Sequence, residues 1–277
     1  LFTKEQVEAT NGYSNDYWDW GMEDDDLFWR CVLTENAEQH YLPKITNQKY
    51  GYFDGLKSFV KIEPSRTIRN ICSRSHSVSI LVRAHQQEEK VPIYLIGDED
   101  RRFCEYPVFR RPGHDWGISY NNSRAFTTML WNNNREFLYL WAKRYEQQWT
   151  WVTLTVDDEK NEISLYINGR KSDARFGTGV TSPLQFEGML KRYGTEPYYI
   201  GTTTSVGVDE VNRWFKGDIA KIMMWDRCLE ENEIMGFPED MVAHYDFNNV
   251  NDNILTDLTD NGNHGEINDV EIKEEEN

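Results

Sequence analysis

The run Trp20-Gly21-Met22-Glu23-Asp24-Asp25-Asp26 sets one indole beside four consecutive carboxylates, with Asn11-Gly12-Tyr13-Ser14 and Tyr17-Trp18-Asp19 leading into it. An indole can lay its flat face on the apolar face of a sugar ring. A neighbouring carboxylate can take the proton of a sugar hydroxyl, which is general-base work. Together these groups make the surface that a glycosyl acceptor needs. An acidic run by itself is ordinarily a solvated helix start, where carboxylates meet the positive end of the helix dipole. The aromatic frame around this run is what points past that reading.

The order Leu1-Phe2-Thr3-Lys4-Glu5-Gln6-Val7, Asn11-Gly12-Tyr13-Ser14-Asn15-Asp16-Tyr17-Trp18 and Trp20-Gly21-Met22-Glu23-Asp24-Asp25-Asp26-Leu27 resembles the C-terminal catalytic segment of the β-1,4-galactosyltransferase family. There a strand and short helix lead through an Asn-Gly-aromatic turn to a Trp-Gly-Gly-Glu-Asp-Asp-Asp motif. The likeness covers residues 1–30 and implies a small α/β fragment of a glycosyltransferase fold. It implies inverting hexosyl transfer, of galactosyl type, from a nucleotide sugar to a glycan acceptor. By position, Asp24 is the base that deprotonates the acceptor. Glu23 and Asp25 hold the acceptor and the reaction centre, Trp20 is the sugar platform, and Tyr17 and Trp18 border it.

Met22 departs from the family, which has a second Gly there, and its side chain could narrow the loop. The family's donor-binding half, with its Asp-x-Asp metal motif, lies upstream of the Trp-Gly motif. The resemblance therefore implies a nucleotide sugar and a divalent metal of the manganese type for the full enzyme, neither of them held by this stretch. It also implies that the chain is the C-terminal piece of a longer protein, in the Golgi or secretory lumen if eukaryotic and in the cytoplasm if viral or bacterial. Asp24-x-Asp26 is not that metal motif. His40 lacks the pattern of the family's metal-binding His and reads as a solvated or capping residue.

A chain of 277 residues can bury a substantial core in one large domain or two modest ones. Its net charge of −17 argues against nucleic acid and against anionic membrane surfaces, both of which recruit basic residues. No run of about eighteen apolar residues is present to span a membrane. Cys31, Cys72, Cys104 and Cys228 are far apart and show no zinc-ligand spacing; disulfides and buried thiols both stay open. With 10 Trp and 15 Tyr, the chain has the aromatic residues that fill a β core and also those that a carbohydrate-binding protein carries.

Residues 35–48 read as a polar connector broken by Pro43, and after it short strands alternate with turn signals, the pattern of a sandwich. Ser58-Phe59-Val60-Lys61-Ile62, Val78-Ser79-Ile80-Leu81-Val82-Arg83 and Trp149-Thr150-Trp151-Val152-Thr153-Leu154-Thr155-Val156 alternate. Residues 125–130 and 137–141 read as a pair around Asn132-Asn133-Asn134, and 163–167 closes on Asn168-Gly169, a hairpin signal.

These strands resemble the laminin-G-like, concanavalin-A-like jelly roll. The likeness is carried by Phe53-Asp54-Gly55, Phe59-Val60-x-Ile62, Trp149-x-Trp151-Val152-Thr153-Leu154-Thr155, Leu165-Tyr166-Ile167-Asn168-Gly169 and Phe215-Lys216-Gly217-Asp218-Ile219-Ala220-x-Ile222-x-x-Trp225. Met241-Val242-Ala243-His244-Tyr245-Asp246-Phe247 and Asp257-Leu258-Thr259-Asp260-Asn261-Gly262-Asn263-His264-Gly265 look like the family's opening strand and hairpin, placed here after its closing strand. They either fold back as an edge of the same sandwich, which is the expectation, or begin a second copy of it. The resulting organisation is mainly β: a transferase-like piece with connector at 1–48, a sandwich at 49–270, and an acidic tail at 271–277 whose composition predicts disorder.

Within the sandwich, Trp116, Trp131, Trp141 and Trp214 lie near turns or strand ends and could stack on sugars, with core packing as the alternative for each. Asp98-Glu99-Asp100 could offer oxygen ligands to calcium or be a solvated loop. Asn121-Asn122-Ser123 is a glycosylation sequon, and His114 and Asp115 read as turn residues. Three functional readings follow: part of a glycosyltransferase with a lectin-like sandwich, a carbohydrate- or protein-binding module without catalysis, or a structural adhesion domain with no small ligand.

Overall fold

The computed structural model describes residues 45–63, 65–68, 71, 74–85, 93–98, 116–121, 125–131, 137–143, 147–160, 162–172, 197–202 and 214–275. The chain divides into two compact units, Leu1–Lys44 and Ile45–Asn277. Tyr17, Trp18, Trp20, Glu23, Asp24, Asp25 and His40 belong to the first unit and lie outside the described residues.

In chain order the described strands are β1 (Lys49–Asp54), β2 (Phe59–Ile62), β3 (His76–Ala84), β4 (Ile93–Asp98), β5 (Trp116–Asn121), β6 (Ala125–Trp131), β7 (Phe137–Lys143) and β8 (Thr150–Asp157). They continue as β9 (Glu162–Ile167), β10 (Arg170–Lys171), β11 (Tyr198–Ile200), β12 (Lys216–Trp225), β13 (Ala243–Asn251), β14 (Ile254–Asp257), β15 (Gly265–Asn268) and β16 (Glu271–Glu274). The hydrogen-bonded path runs β10-β9-β8-β3-β12-β13-β14-β15-β2-β11-β4-β5-β6-β7, with β1 paired to β12 and β16 paired to β1. Every described pairing is antiparallel, which lets short turns join neighbours.

Period-2 alternation decides which face each side chain takes. Val78, Ile80 and Val82 of β3 and Val152, Leu154 and Val156 of β8 enter one cluster with Val60, Ile62, Tyr198 and Ile200 from β2 and β11. That cluster is the interior of the sandwich. Phe53 anchors it, with ring centroids 5.9 Å from Phe215 and 6.4 Å from Phe247. Fully burying a side chain of this size stabilises by about 1.5–3 kcal/mol.

The outer face of the same strands carries a second cluster: Leu81, Trp149, Trp151, Ala220, Met223 and Trp225. It is roofed by the segment that follows β12, where Leu229, Ile234 and Phe237 pack down around a single 3-10 turn at Glu231–Glu233. Trp225 donates its indole N–H to Pro238 O at 2.9 Å, and Trp151 lies 4.5 Å from the Phe237 ring. Arg227 pins the roof by a bidentate pair to Glu233, at 2.7 and 2.9 Å, and by Nε to Asp240 at 2.7 Å.

Asn168 and Gly169 form the hairpin between β9 and β10 that their sequence predicts, with φ of 49° and 80°. Asn168 also receives the Trp151 N–H on its side-chain oxygen at 2.8 Å, which ties the turn to β8. In β12 a bulge between Ile219 and Lys221 makes two residues oppose one on β3. Ala220 is the extra residue, and the shift lets it face the outer cluster together with Met223 and Trp225.

The out-of-order C-terminal segment does fold back, as expected, but as an inner strand: β13 lies between β12 and β14. Asp257 fixes its return, accepting N–H bonds from His244 at 3.0 Å, Thr259 at 3.1 Å and Asn263 at 2.8 Å. The disorder expected of 271–277 from its acidic composition does not extend to Glu271–Glu274, which pairs with β1 as β16. There Glu275 Oε1 takes a hydrogen bond from Arg83 Nη1 at 2.9 Å, so that one carboxylate is matched while Glu271 and Glu274 stay exposed. Gln48, which the sequence places in the connector, is buried, donating to Asp246 Oδ1 at 2.9 Å while its carbonyl accepts from Glu275 N at 3.0 Å.

Candidate functional site

The antiparallel register brings four residues from distant parts of the chain into one row: Arg83 opposite Asp218, Asp218 opposite Tyr52, and Tyr52 opposite Glu271. Directly opposed side chains share a face, so the row continues the outer face beyond the roofed apolar cluster. Arg83 donates Nε–H to Asp218 Oδ2 at 2.7 Å, and His85 Nε2 lies 2.9 Å from the same oxygen. The Arg83 guanidinium sits 4.6 Å above the Trp149 ring and 5.1 Å above Tyr50, so it is stacked as well as paired. Burial works against the charge on Arg83, but the pairs with Asp218 and Glu275 outweigh it and raise its pKa above the ordinary arginine value.

Beside this row opens a pocket of about 450 Å³, bordered by Arg83, His85, Gln147 and Lys216. Antiparallel pairing puts all four at one end of the sheet: the end of β3, the residue after it, the approach to β8, and the start of β12. Tyr52 tilts toward His85, with ring centroids 6.0 Å apart, and the Lys273 ammonium lies 3.9 Å over the Tyr52 ring. Lys216 packs its stem against Gly55, where a Cβ would come within 2.9 Å of the Lys216 Cβ.

A separate aromatic strip contains one residue singled out from the sequence. Trp214 is half-buried and its ring centroid lies 6.1 Å from Phe59, which lies 5.9 Å from Tyr199. Phe59 and Tyr199 are also half-buried, on the paired strands β2 and β11. Trp116 opens β5, Trp131 closes β6 and Trp141 stands opposite Thr127 in β7; the structure assigns these three a backbone place only. Asp98 ends β4, while Glu99, Asp100, His114 and Asp115 lie outside the described residues.

Among the described residues no group of three or more His, Cys, Asp or Glu side chains is placed to hold a metal ion. Residues 1–44, the transferase segment for whose full enzyme a divalent metal is implied, lie outside the described residues, and no chemical step is assigned through a metal. No helix among them is long and apolar enough to cross a membrane. Cys228 is a free thiol, half-buried, whose pKa burial pushes up.

A model for the concanavalin A-like lectin/glucanases superfamily matches residues 55–235, more than half of the chain. The chain belongs to that superfamily. A second model, described as the N-terminal domain of galactosyltransferase, matches residues 1–51. The order, transferase segment first and sandwich second, is the order read from the sequence.

Among solved structures, this concanavalin A-like chain resembles a candidate carbohydrate binding protein from Bacteroides ovatus, at 15% identity and a TM-score of 0.56. The alignment covers 83% of this chain and 60% of that one, so this chain spans somewhat under two thirds of that protein's length. A pentraxin from Limulus polyphemus aligns at 13% identity and TM-score 0.45, over 68% of this chain and 80% of that one. The NanB sialidase of Streptococcus pneumoniae aligns at 14% and 0.48, over 71% of this chain and 29% of that one.

The sequence did not point to Arg83, His85, Gln147, Lys216 or Tyr52 as site residues. Arg83 ends the alternating run from Val78 and Lys216 belongs to the Phe215-Lys216-Gly217-Asp218 stretch, and both of these signalled fold.

Proposed function

We propose that this protein is the acceptor-handling part of a hexosyltransferase, in which the concanavalin A-like sandwich binds the glycan that the transferase segment modifies. The observation that carries this reading is the tandem itself: galactosyltransferase sequence at residues 1–51 followed directly by a lectin-type sandwich at 55–235. In this reading Asp24 removes the acceptor proton, Glu23 and Asp25 hold the acceptor, and Trp20, with Tyr17 and Trp18, forms the sugar platform. Transfer is inverting, from a nucleotide sugar, and a divalent metal belongs to the donor-binding segment of the full enzyme.

On the sandwich, Trp214 with Phe59 and Tyr199 supports the glycan-binding role. Half-exposed aromatic rings are what stack on the apolar faces of sugars. Trp116, Trp131 and Trp141 are further candidates for the same work. Tethering a glycan beside a reaction centre raises its effective concentration to about millimolar over a short linker. A glycan array probed with the full chain tests the role. Binding to a defined set of glycans, weakened by Trp214→Ala, is the expected result; an array that stays blank would leave a protein-binding module without catalysis as the better reading.

A further inference from the structure

We propose that the glycan taken at the Trp214–Phe59–Tyr199 strip is an uncharged chain of several sugar units, laid across the strands along Tyr199, Gly97 and Gly117. The proposal rests on the reading of the sandwich as a glycan binder and names the class of glycan it takes.

Register assembles the track. Glu266 lies opposite Lys61, Lys61 opposite Tyr199, Tyr199 opposite Gly97, and Gly97 opposite Gly117. These residues belong to β15, β2, β11, β4 and β5, which are successive neighbours in the sheet. Directly opposed residues share a face. The alternate positions Val60, Ile62, Ile200 and Ile118 enter the core, so the track lies on the outer face.

Its dimensions and shape fit a chain better than a single ring. Two neighbouring glycines carry no side chain beside Tyr199, and a glycine inside a strand often marks where a ligand comes close to the backbone. From β2 to β5 the track crosses three strand spacings, about 14 Å, which is longer than one sugar ring. Phe59 stands between the other two rings of the strip, 6.1 Å from Trp214 and 5.9 Å from Tyr199, inclined to them by 45° and 44°. A flat ligand cannot lie on two faces set at such an angle. Sugar units joined by rotatable glycosidic bonds turn from one face to the next. Beyond β5, alternation from buried Phe126 sets the positions of Trp131 and Trp141 on the same outer face of β6 and β7.

Charge favours an uncharged chain. Lys61 is paired with Glu63 at 2.5 Å and faces Glu266 across the strand pair, so the row holds no surplus of positive charge. The whole chain carries −17. An anionic glycan would meet that field with no surplus cation in the row to offset it. Glu266, with Asn268 opposite Phe59, supplies the acceptors and donors that sugar hydroxyls use.

Calorimetric titration of the full chain tests the proposal. The probes are gluco-, galacto-, manno- and xylo-oligosaccharides, each from the single sugar to the hexasaccharide, with oligogalacturonides of matched length. In at least one neutral series, affinity should rise about tenfold or more from disaccharide to tetrasaccharide, as an added stacking contact would give. The oligogalacturonides should bind more weakly than the neutral galacto series. Gly97→Val, which puts a side chain on the bare part of the track, should bring the tetrasaccharide down to the affinity of the disaccharide and leave the disaccharide unchanged. Tyr199→Ala should also remove the gain with length, and it decides the matter if Gly97→Val does not fold. Affinity that is independent of length, or a length gain that survives Tyr199→Ala, overturns the proposal while the glycan-binding reading stands. Oligogalacturonides bound as tightly as neutral chains overturn it as well. No binding of any saccharide, together with a blank glycan array, removes both.

Discussion

Arg83 and Asp218 face each other across β3 and β12, joined by a 2.7 Å ion pair in which Asp218 is 2% exposed and Arg83 19%. A buried carboxylate persists as a charge only when its oxygens are met, and here Arg83 and His85 meet the same one. The pair joins two parts of the molecule's logic. It holds the β3–β12 register at the end of the sheet, and it fixes the guanidinium beside the pocket.

Asp218→Asn keeps the shape and removes the charge. It should destabilise the protein by about 2–3 kcal/mol, the range for losing a charge-assisted hydrogen bond, since Glu275 still pairs with Arg83. Urea unfolding measures it; a change below about 0.5 kcal/mol, the range of ordinary surface substitutions, would show that the pair adds nothing to the fold.

Two glycines with positive φ should respond differently to alanine. At Gly169 the new methyl would meet Met235 Cγ at 2.5 Å, the far part of a flexible side chain that can move. At Gly217 it would meet the Arg83 carbonyl oxygen at 2.5 Å, which belongs to the neighbouring strand and cannot move without opening the sheet. Gly169→Ala should cost about 1 kcal/mol from backbone strain, and Gly217→Ala about 3 kcal/mol or more. Thermal unfolding of both variants should rank them in that order; the reverse order would contradict the β3–β12 register.

His76 is fully buried, and burial lowers its pKa to about 4 from 6.5, with Nδ1 2.7 Å from Arg74 O. The unfolded chain therefore binds a proton here that the folded chain refuses. The stability is present above pH 6.5 and is lost as pH falls through about 4. The whole shift corresponds to about 3 kcal/mol. Stability measured against pH should fall less steeply across that window in His76→Asn than in the wild type, and parallel curves would show that His76 does not titrate on unfolding.

Much of the sandwich could be read from the chain because its strands obey period 2 and its turns use the residues that turns demand. Asn168-Gly169 is the plainest case, and β3, β8 and β9 follow from alternation. The C-terminal return of β13 was legible from the likeness of residues 241–265 to an opening hairpin. What composition hid was β16: an acidic run looks solvated until the pairing partner and the Arg83 guanidinium are known.

The Arg83–Asp218–Tyr52 row was illegible for another reason. Its members come from three distant strands, and the β12 bulge changes which residues of that strand face outward. No local pattern encodes a row that only the register assembles. Trp214 was visible as an aromatic near a strand start, but its partners Phe59 and Tyr199 read as ordinary strand residues.

For the acceptor platform, Trp20→Ala should weaken acceptor binding by about 1–3 kcal/mol, by analogy with the stacking of a base on an aromatic side chain. Steady-state kinetics with varied acceptor measure it. An unchanged acceptor KM would assign Trp20 to packing instead.

The most direct test of a sugar-transferring protein is the rate of transfer from a nucleotide sugar to an acceptor, comparing wild type with Asp24→Asn in the intact protein. Loss of the base should reduce turnover by about a hundredfold or more while glycan binding and the unfolding midpoint stay unchanged. Turnover in Asp24→Asn equal to the wild type, or no transfer by the wild type with any nucleotide sugar, would contradict it.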